Sequence, residues 1–262
     1  MNNPRTLLWR PAIALWHRDV VRFLRQRNRI ISALLTPFVF WILLGAGFTP
    51  SFRPQGTEEV SYLAYFFPGT LVLIMLFTAI FSTISVIEDR REGFLQGVLV
   101  APVSPAAIVL GKFLGGTTLA AGQALLFCAL APLAGIPLRP DLRPLLLLAF
   151  VLVGFSMTGL GFIVAWPMDS TQGFHAIMNI VLMPLWMVSG ALFPLPSGNS
   201  IMAWLGALNP VTYGVALIRN ALDIAPLPGA PSTTLCLVVT VFFCAATCLA
   251  SSILVAKRRK VS

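Results

Sequence analysis

The sequence is short of charge. Aspartate, glutamate, lysine and arginine make up 10% of its 262 residues, against about 25% in an ordinary soluble domain. Acid is scarcer than base, with nine carboxylates against 18 lysines and arginines and a net charge of +9. Histidine occurs only at His17 and His175, on separate segments with no cysteine nearby, so no metal-ligand spacing arises. Cys128, Cys236, Cys244 and Cys248 all lie in apolar runs and read as small buried hydrophobes, not as a disulfide framework. No phosphate-binding G-x-x-x-x-G-K-[ST] loop occurs, and Gly111-Lys112 is followed by Phe113. No Ser-His-Asp arrangement and no acid–base carboxylate pair emerges. These shortages exclude a soluble enzyme, a disordered chain and a small disulfide scaffold.

What fills the space is apolar. Hydrophobic residues are 57% of the chain, with 19 Phe and 6 Trp. Few charged side chains are left to cover that surface in water, so the chain is an integral membrane protein. The basic residues sit at the ends of apolar runs, which writes membrane orientation and not nucleic-acid binding.

Residues 30–52, 60–87, 113–138, 144–168, 170–218 and 224–256 carry no formal charge. Each run holds the roughly 20 residues that a spanning helix needs. Spans are expected at about 30–48, 63–87, 113–135, 144–165, 174–193 and 234–256. Lipid demands an internally satisfied backbone, and Leu145–Phe155 does not alternate as a barrel strand would, so the spans are helices. With both termini inside, 14 of the 18 basic residues are cytoplasmic, leaving Arg53, Arg139, Arg143 and Arg219 outside. The basic leader of 29 residues is too long for an ordinary signal peptide.

Gly, Pro and Ser break the long run at 189–200, and Asn209-Pro210 interrupts the stretch after it. The segment 194–222 is expected to dip into the outer leaflet and return. A seventh span at 201–218 is the competing count, and it would put the basic tail 257–262 outside.

Residues 1–29 form the cytoplasmic N-terminus. On a helical wheel Ile13, Trp16, Val20, Phe23 and Leu24 share one side, and Arg18, Arg22, Arg25 and Arg29 the other. The pattern predicts an interfacial helix with its arginines among the headgroups and Arg27 snorkelling from near the apolar face. A plain positive-inside anchor and a strut that moves with the first span fit this pattern equally.

The cytoplasmic segment 88–111 is the most informative. Glu88, Asp89, Arg90, Arg91 and Glu92 end the second span, and Phe94, Leu95, Val98 and Leu99 follow as an apolar stripe. Ala101-Pro102 stops that short helix. Ser104-Pro105 reads as a cap and a first-turn proline for the next one. The short helix fits a groove on another protein, and it fits equally well against its own bundle.

The stretch Glu88–Lys112, together with Leu208–Leu222, the six-span count and the amphipathic N-terminal helix, resembles the ABC-2-type export permeases. The likeness is to the drug-resistance and nodulation lipo-oligosaccharide branch in particular. It implies a domain over 30–256 that pairs with a second copy of itself and with two copies of a separate ATPase, which would hold ATP and Mg2+. No cofactor is then expected on this chain. It also implies that about 88–101 acts as a coupling helix and that the 166–175 loop, with Asp169 and His175, makes a second cytoplasmic contact.

The expected fold class is an all-α integral membrane protein. Six transmembrane helices come with an N-terminal interfacial helix, a coupling helix and re-entrant helices before the last span. The spans carry no central ionisable group, which argues against a proton- or sodium-driven transporter. Phe38, Trp41, Thr78, Ser82 and Asn179 are the candidates to line a path for an amphiphile. A membrane-embedded lipid-modifying enzyme or an assembly scaffold on the same fold is the alternative.

Overall fold

The computed structural model describes residues 4–48, 61–101, 103–196, 198, 200–224 and 229–259. Arg53, Gln55, Pro102 and Lys260 lie outside the described residues, as do the side chains of Arg27, Arg29 and Leu99. The chain is all-helical: α1 (Pro4–Leu24), α2 (Arg27–Phe48), α3 (Tyr62–Ser82), α4 (Ile84–Arg91), α5 (Phe94–Val100), α6 (Pro105–Cys128), α7 (Arg143–Ala165), α8 (Thr171–Met187), α9 (Ile201–Leu208), α10 (Pro210–Ala221) and α11 (Thr233–Arg259).

Among the described residues, five stretches are long and apolar enough to cross a membrane: Ile30–Phe48, Tyr62–Arg91, Pro105–Cys128, Pro140–Ala165 and Thr233–Arg258. The α9–α10 pair, bent by 80°, raises the count to six if it is one broken span. The expected fifth span is α8, whose 17 residues stand at the short limit of about 17–25 for a crossing helix. Its apolar run ends early because the chain turns at Gly190, which has φ +80.

Two boundaries differ from the sequence expectation. The second span runs on as one apolar stretch to Arg91, past its expected end at 87, with an interruption of the α-helical bonding at Thr83 between α3 and α4. There Ser82 Oγ donates to the Ala79 carbonyl and Thr83 Oγ1 to the Ile80 carbonyl, both at 2.6 Å. Hydroxyls that bond back to the preceding turn bend a helix. The third span starts at Pro105 and stops at Cys128, with a 3-10 turn over Ala131–Ala134 in place of a longer helix. Pro132 lies in that turn and cannot continue an α-helix.

α3 is the central post. Its residues from Tyr62 to Met75 are almost all buried, and α2, α6, α7, α8 and α10 pack around it. Small residues let α6 and α7 approach closely. A Cβ on Gly161 of α7 would stand 2.9 Å from Ile80 Cα, and one on Gly116 of α6 would stand 2.5 Å from Thr158 Oγ1. α11 lies at the edge and exposes Leu235, Val238, Phe242 and Leu249, as a lipid-facing helix does. All four cysteines are free, and Cys128, Cys236 and Cys244 are buried.

α1 stands apart from the candidate spans, as expected. It runs alongside α6, with the Ala12 carbonyl and Leu15 Cβ each 2.8 Å from where a Gly111 Cβ would stand. Its buried face is Ala12, Leu15 and Phe23, whereas Ile13 and Leu24 are exposed.

Gly161→Ala forces a methyl against the α3 backbone. It should destabilise the detergent-solubilised protein by about 1–3 kcal/mol, the usual cost of overpacking. Gly122→Ala meets no atom within 4 Å and should leave the melting temperature unchanged or slightly raised. Equal melting of the two variants would contradict this packing.

Candidate functional site

Two features stand out at different levels of the bundle: a network of charges around α4, and an apolar cavity against α3.

The network centres on Asp89, whose side chain is fully buried. Asp89 Oδ1 is 2.6 Å from Arg18 Nη2 and 3.3 Å from Arg22 Nη1, and Oδ2 is 2.6 Å from Lys112 Nζ. Lys112, itself only 3% exposed, also donates to Asp19 Oδ1 at 3.0 Å and to Ser85 Oγ at 3.1 Å. Arg22 further pairs with Glu88 at 3.1 Å and Glu92 at 3.3 Å. The hydrogen bonds that Arg18 donates to Asp89 hold its guanidinium above its ordinary pKa. Burial pushes the Asp19 carboxyl above the usual carboxylate range, while the Lys112 ammonium draws it back. The network ties α1, α4 and α6 into one unit.

Sequence placed Arg18 and Arg22 among the headgroups. The structure turns both inward, because a buried carboxylate needs charged donors more than the surface does. Arg25 is exposed, as expected. Trp16 is part-buried and donates from Nε1 to Thr118 Oγ1 at 3.0 Å, so it binds α6 instead of facing lipid alone. Asp19 and Lys112 escaped sequence reasoning as a pair. They are 93 residues apart, and only the α1–α6 packing brings them together.

α5 follows Gly93, which turns the chain at φ +76. Leu95 is buried in the core and Val98 is part-buried against it. Phe94 is 37% exposed and lies under Arg18, its ring centroid 3.8 Å from the guanidinium carbon. Val100 is exposed. An apolar groove of about 410 Å3 runs between α1 and α5, lined by Pro11, Ala14, Phe94, Gly97, Val98 and Val103 among others. α5 therefore keeps one apolar row at home and shows another.

Arg90 clips the loop after α7, donating to the carbonyls of Met168 (3.0 Å) and Trp166 and pairing with Asp169 at 3.1 Å. Arg91 and Glu92 are exposed. His175 is not in that loop but on α8, with its ring 4.7 Å from Phe81.

The cavity, about 700 Å3, is walled mainly by α2, α3 and α8, with Phe23 of α1 and Leu192 of the turn after α8 also in its lining. Phe40, Phe77, Phe81, Met183 and Trp186 supply its apolar lining, and Ser32, Thr36, Thr78 and His175 add polar atoms. Both α2 and α8 pack on α3 but scarcely touch each other. Their outer faces, with Ile31, Leu35, Leu43, Ile177 and Ile180, are exposed.

Of the five path candidates, only Thr78 lines this cavity. Trp41 is buried, donates to the Leu63 carbonyl at 3.0 Å, and meets Phe67 and Phe127 edge-on. Phe38 and Trp41 line a separate groove beside Leu63 and Leu133. Ser82 bonds back into its own helix, and Asn179 is exposed outside the cavity lining. Helical spacing separates the two faces of α2. Phe38, Trp41 and Gly45 share one, and Thr36, Phe40 and Leu44 the other.

At the other end of α3, polar groups anchor the turn after α8. Tyr62 donates to the Leu192 carbonyl (3.0 Å), Tyr65 to the Gly190 carbonyl (2.8 Å), and Trp186 Nε1 to the Gly69 carbonyl (2.8 Å). Asn209 caps α10 by accepting from Val211 N and donates to the Leu185 carbonyl, which fixes the bend between α9 and α10.

Comparison with known proteins gives a consistent family. The model described as ABC-2 type transporter matches residues 11–222. The ycf38 protein of Cyanophora paradoxa, named a transport permease, is 30% identical over 205 residues, covering 77% of this chain and 70% of that relative. Nodulation protein J of Rhizobium leguminosarum bv. trifolii is 26% identical over 214 residues, 79% of each chain. The inner membrane transport permease YhhJ of Escherichia coli (strain K12) is 26% identical over 140 residues, 53% of this chain and 37% of that relative.

Asp89→Ala would leave Lys112 and Arg18 facing a void. Removing one partner of a buried ion cluster costs about 3–5 kcal/mol, so melting should drop strongly. Arg139→Ala breaks pairs with Asp141 and Asp223 that are more than half exposed and should leave melting unchanged. The comparison is made by thermal unfolding in one detergent.

Proposed function

Because the chain belongs to the ABC-2 type transporter family, we propose that it is the membrane-spanning permease of an ATP-driven exporter. Two copies enclose the path, and each couples to one separate ATPase subunit that holds ATP and Mg2+. The observation that carries this reading is the cavity on α3. Helices α2, α3 and α8 wall it together with Phe23 of α1, and among the described residues the apolar faces of α2 and α8 that flank it are exposed. A second copy covers both faces and closes the path.

The lining fits an amphiphile with an apolar body, whether lipid-linked, saccharide-bearing or drug-like. Phe40, Phe77, Phe81 and Trp186 give it an aromatic surface, and Thr36 and Thr78 give it hydroxyls. Small hydrated ions find few partners there.

Coupling runs through α5. Its exposed residues, Phe94 at the α1–α5 groove and Val100 at its C-terminal end, dock on the ATPase, while Leu95 seats the helix. Arg18 stacks on Phe94 and binds Asp89, so a push on α5 reaches α1, α4 and α6 together. Glu92, exposed at the start of α5, adds charge to the same surface.

Val100 is 83% exposed, so Val100→Glu should leave the isolated permease as stable as wild type. It should weaken ATPase binding by about thirtyfold, the effect of losing an interface contact worth about 2 kcal/mol. Glu92→Lys should weaken docking more than Glu92→Gln. Titration of purified ATPase, read beside the melting of each variant, decides this. Unchanged affinity for Val100→Glu would shift the contact to the Arg90–Asp169 loop. Failure of the permease to change ATPase turnover at all would favour the scaffold reading.

In a cysteine-free background, cysteines at Phe40 and Met183 should crosslink between copies. Crosslinks between copies formed only through α7 would overturn the arrangement. For a cytoplasmic N-terminus, reporters after Arg29, near Ala101 and after Lys260 should read inside, and those near Gln55 and Asp141 outside. An external C-terminal reporter would reject the six-span topology.

A further inference from the structure

Arg219 carries a formal charge that nothing in the charge network or the α3 cavity uses. Sequence counted it as an outer-loop cation. The structure buries it on α10, 3% exposed, at the opposite end of α3 from Asp89. Its Nη2 donates to the Tyr65 carbonyl at 3.1 Å, and its guanidinium carbon lies 4.3 Å from the Tyr65 ring centroid. Nη1 is buried with no hydrogen-bond partner among the described residues. No ion pair among those residues includes Arg219. The nearest acid in sequence, Asp223, turns away to Arg139 at 2.6 Å.

Thr212 lies two helical turns earlier on the same face of α10. Its Oγ1 is likewise buried without a partner. Both side chains line one partly open cavity of about 70 Å3, with Ser189, Gly190, Leu195 and Pro231 among its other lining residues. A single water needs about 10–15 Å3 of such space, so the cavity holds a group of several heavy atoms. An unpaired guanidinium in this setting is costly, and intramembrane charges of this kind mark ligand sites.

We propose that Arg219 and Thr212 form a binding site for the phosphate group of an amphiphile. The planar guanidinium offers Nη1 to a phosphate oxygen while Nη2 stays on the Tyr65 carbonyl, and Thr212 Oγ1 donates to the same ligand. Tyr65 also donates to the Gly190 carbonyl at 2.8 Å. A ligand at Arg219 therefore bears on the turn after α8 and on the bent α9–α10 pair. The inference stands on Arg219 and its cavity, and it does not rest on the export reading.

The test uses the full-length permease in detergent, without any ATPase, so its outcome is separate from that of the coupling experiments. The probes are dioctanoyl-phosphatidylglycerol, dioctanoylglycerol, which has the same tails and no phosphate, and inorganic phosphate. Wild type should bind the phospholipid at least tenfold more tightly than dioctanoylglycerol and melt at a higher temperature with it. Arg219→Gln should abolish the preference, and Thr212→Val should reduce it several-fold. Arg219-dependent binding of inorganic phosphate would support the site with the free anion as a sufficient ligand. Its absence beside phospholipid binding would support the site with the lipid as the source. Equal affinity of wild type for the two lipids, or a preference that survives Arg219→Gln, would overturn the proposal. If Arg219→Gln does not fold, Thr212→Val and Arg219→Lys decide. Lysine keeps the charge without the second nitrogen, and an unchanged preference in both variants would overturn it.

Discussion

A carboxylate with no exposed surface, Asp89, sits where α1, α4 and α6 meet, and three cations converge on it. Such a group is unstable alone and holds only while Arg18, Arg22 and Lys112 stay in place. That condition fixes the positions of their helices. α1 must lie along α6, close enough for glycine at 111 to be the residue that fits. Arg18 then covers Phe94, and the entrance to α5 is set. Asp19, Glu88 and Glu92 complete the neutralisation, so the unit as a whole is close to balanced in charge. The network thus links the start of α5, through Arg18, to α1, α4 and α6.

Above that block the structure is organised around α3, and its two sides are unlike. Towards α6 and α7, small residues and stacked aromatic rings give close packing. Towards α2 and α8 the packing stops and leaves a wide apolar space. In a membrane, apolar faces gain little from burial against one another, so helices are held by van der Waals fit and hydrogen bonds. On the cavity side α2 and α8 are held to α3 by hydrogen bonds, Trp41 to the Leu63 carbonyl and Trp186 to the Gly69 carbonyl. At its far end the turn after α8 is pinned by Tyr62, Tyr65 and Trp186 through carbonyl hydrogen bonds, so motion of α8 is anchored at that point.

The bent pair α9–α10 shows how local chemistry and packing cooperate. Asn209 and Pro210 end one helix and begin the next, as their side chains require. The same Asn209 reaches the Leu185 carbonyl, so the bend is tied to α8 as well as to its own backbone. Arg219 sits on the inner face of α10 and leans on Tyr65. One short segment thus joins the turn after α8, the start of α3 and a buried cation.

The sequence by itself determined the class of the protein, the approximate place of its apolar helices, and its local punctuation. Charge-free runs of about 20 residues leave few alternatives, and Ser104-Pro105 and Asn209-Pro210 act on their own neighbours. The α5 stripe was legible too, although not which of its residues turn inward. Tertiary structure alone decided what each face meets. Periodicity gives an angle around a helix axis and says nothing of the neighbour at that angle, so Trp41 and Phe40 looked alike although one is packed and the other lines the cavity. It also decided where charge goes. Arg18, Arg22 and Arg219 resembled surface cations because the partners that draw them inward, Asp89 and the Tyr65 carbonyl, lie 67 to 154 residues away along the chain.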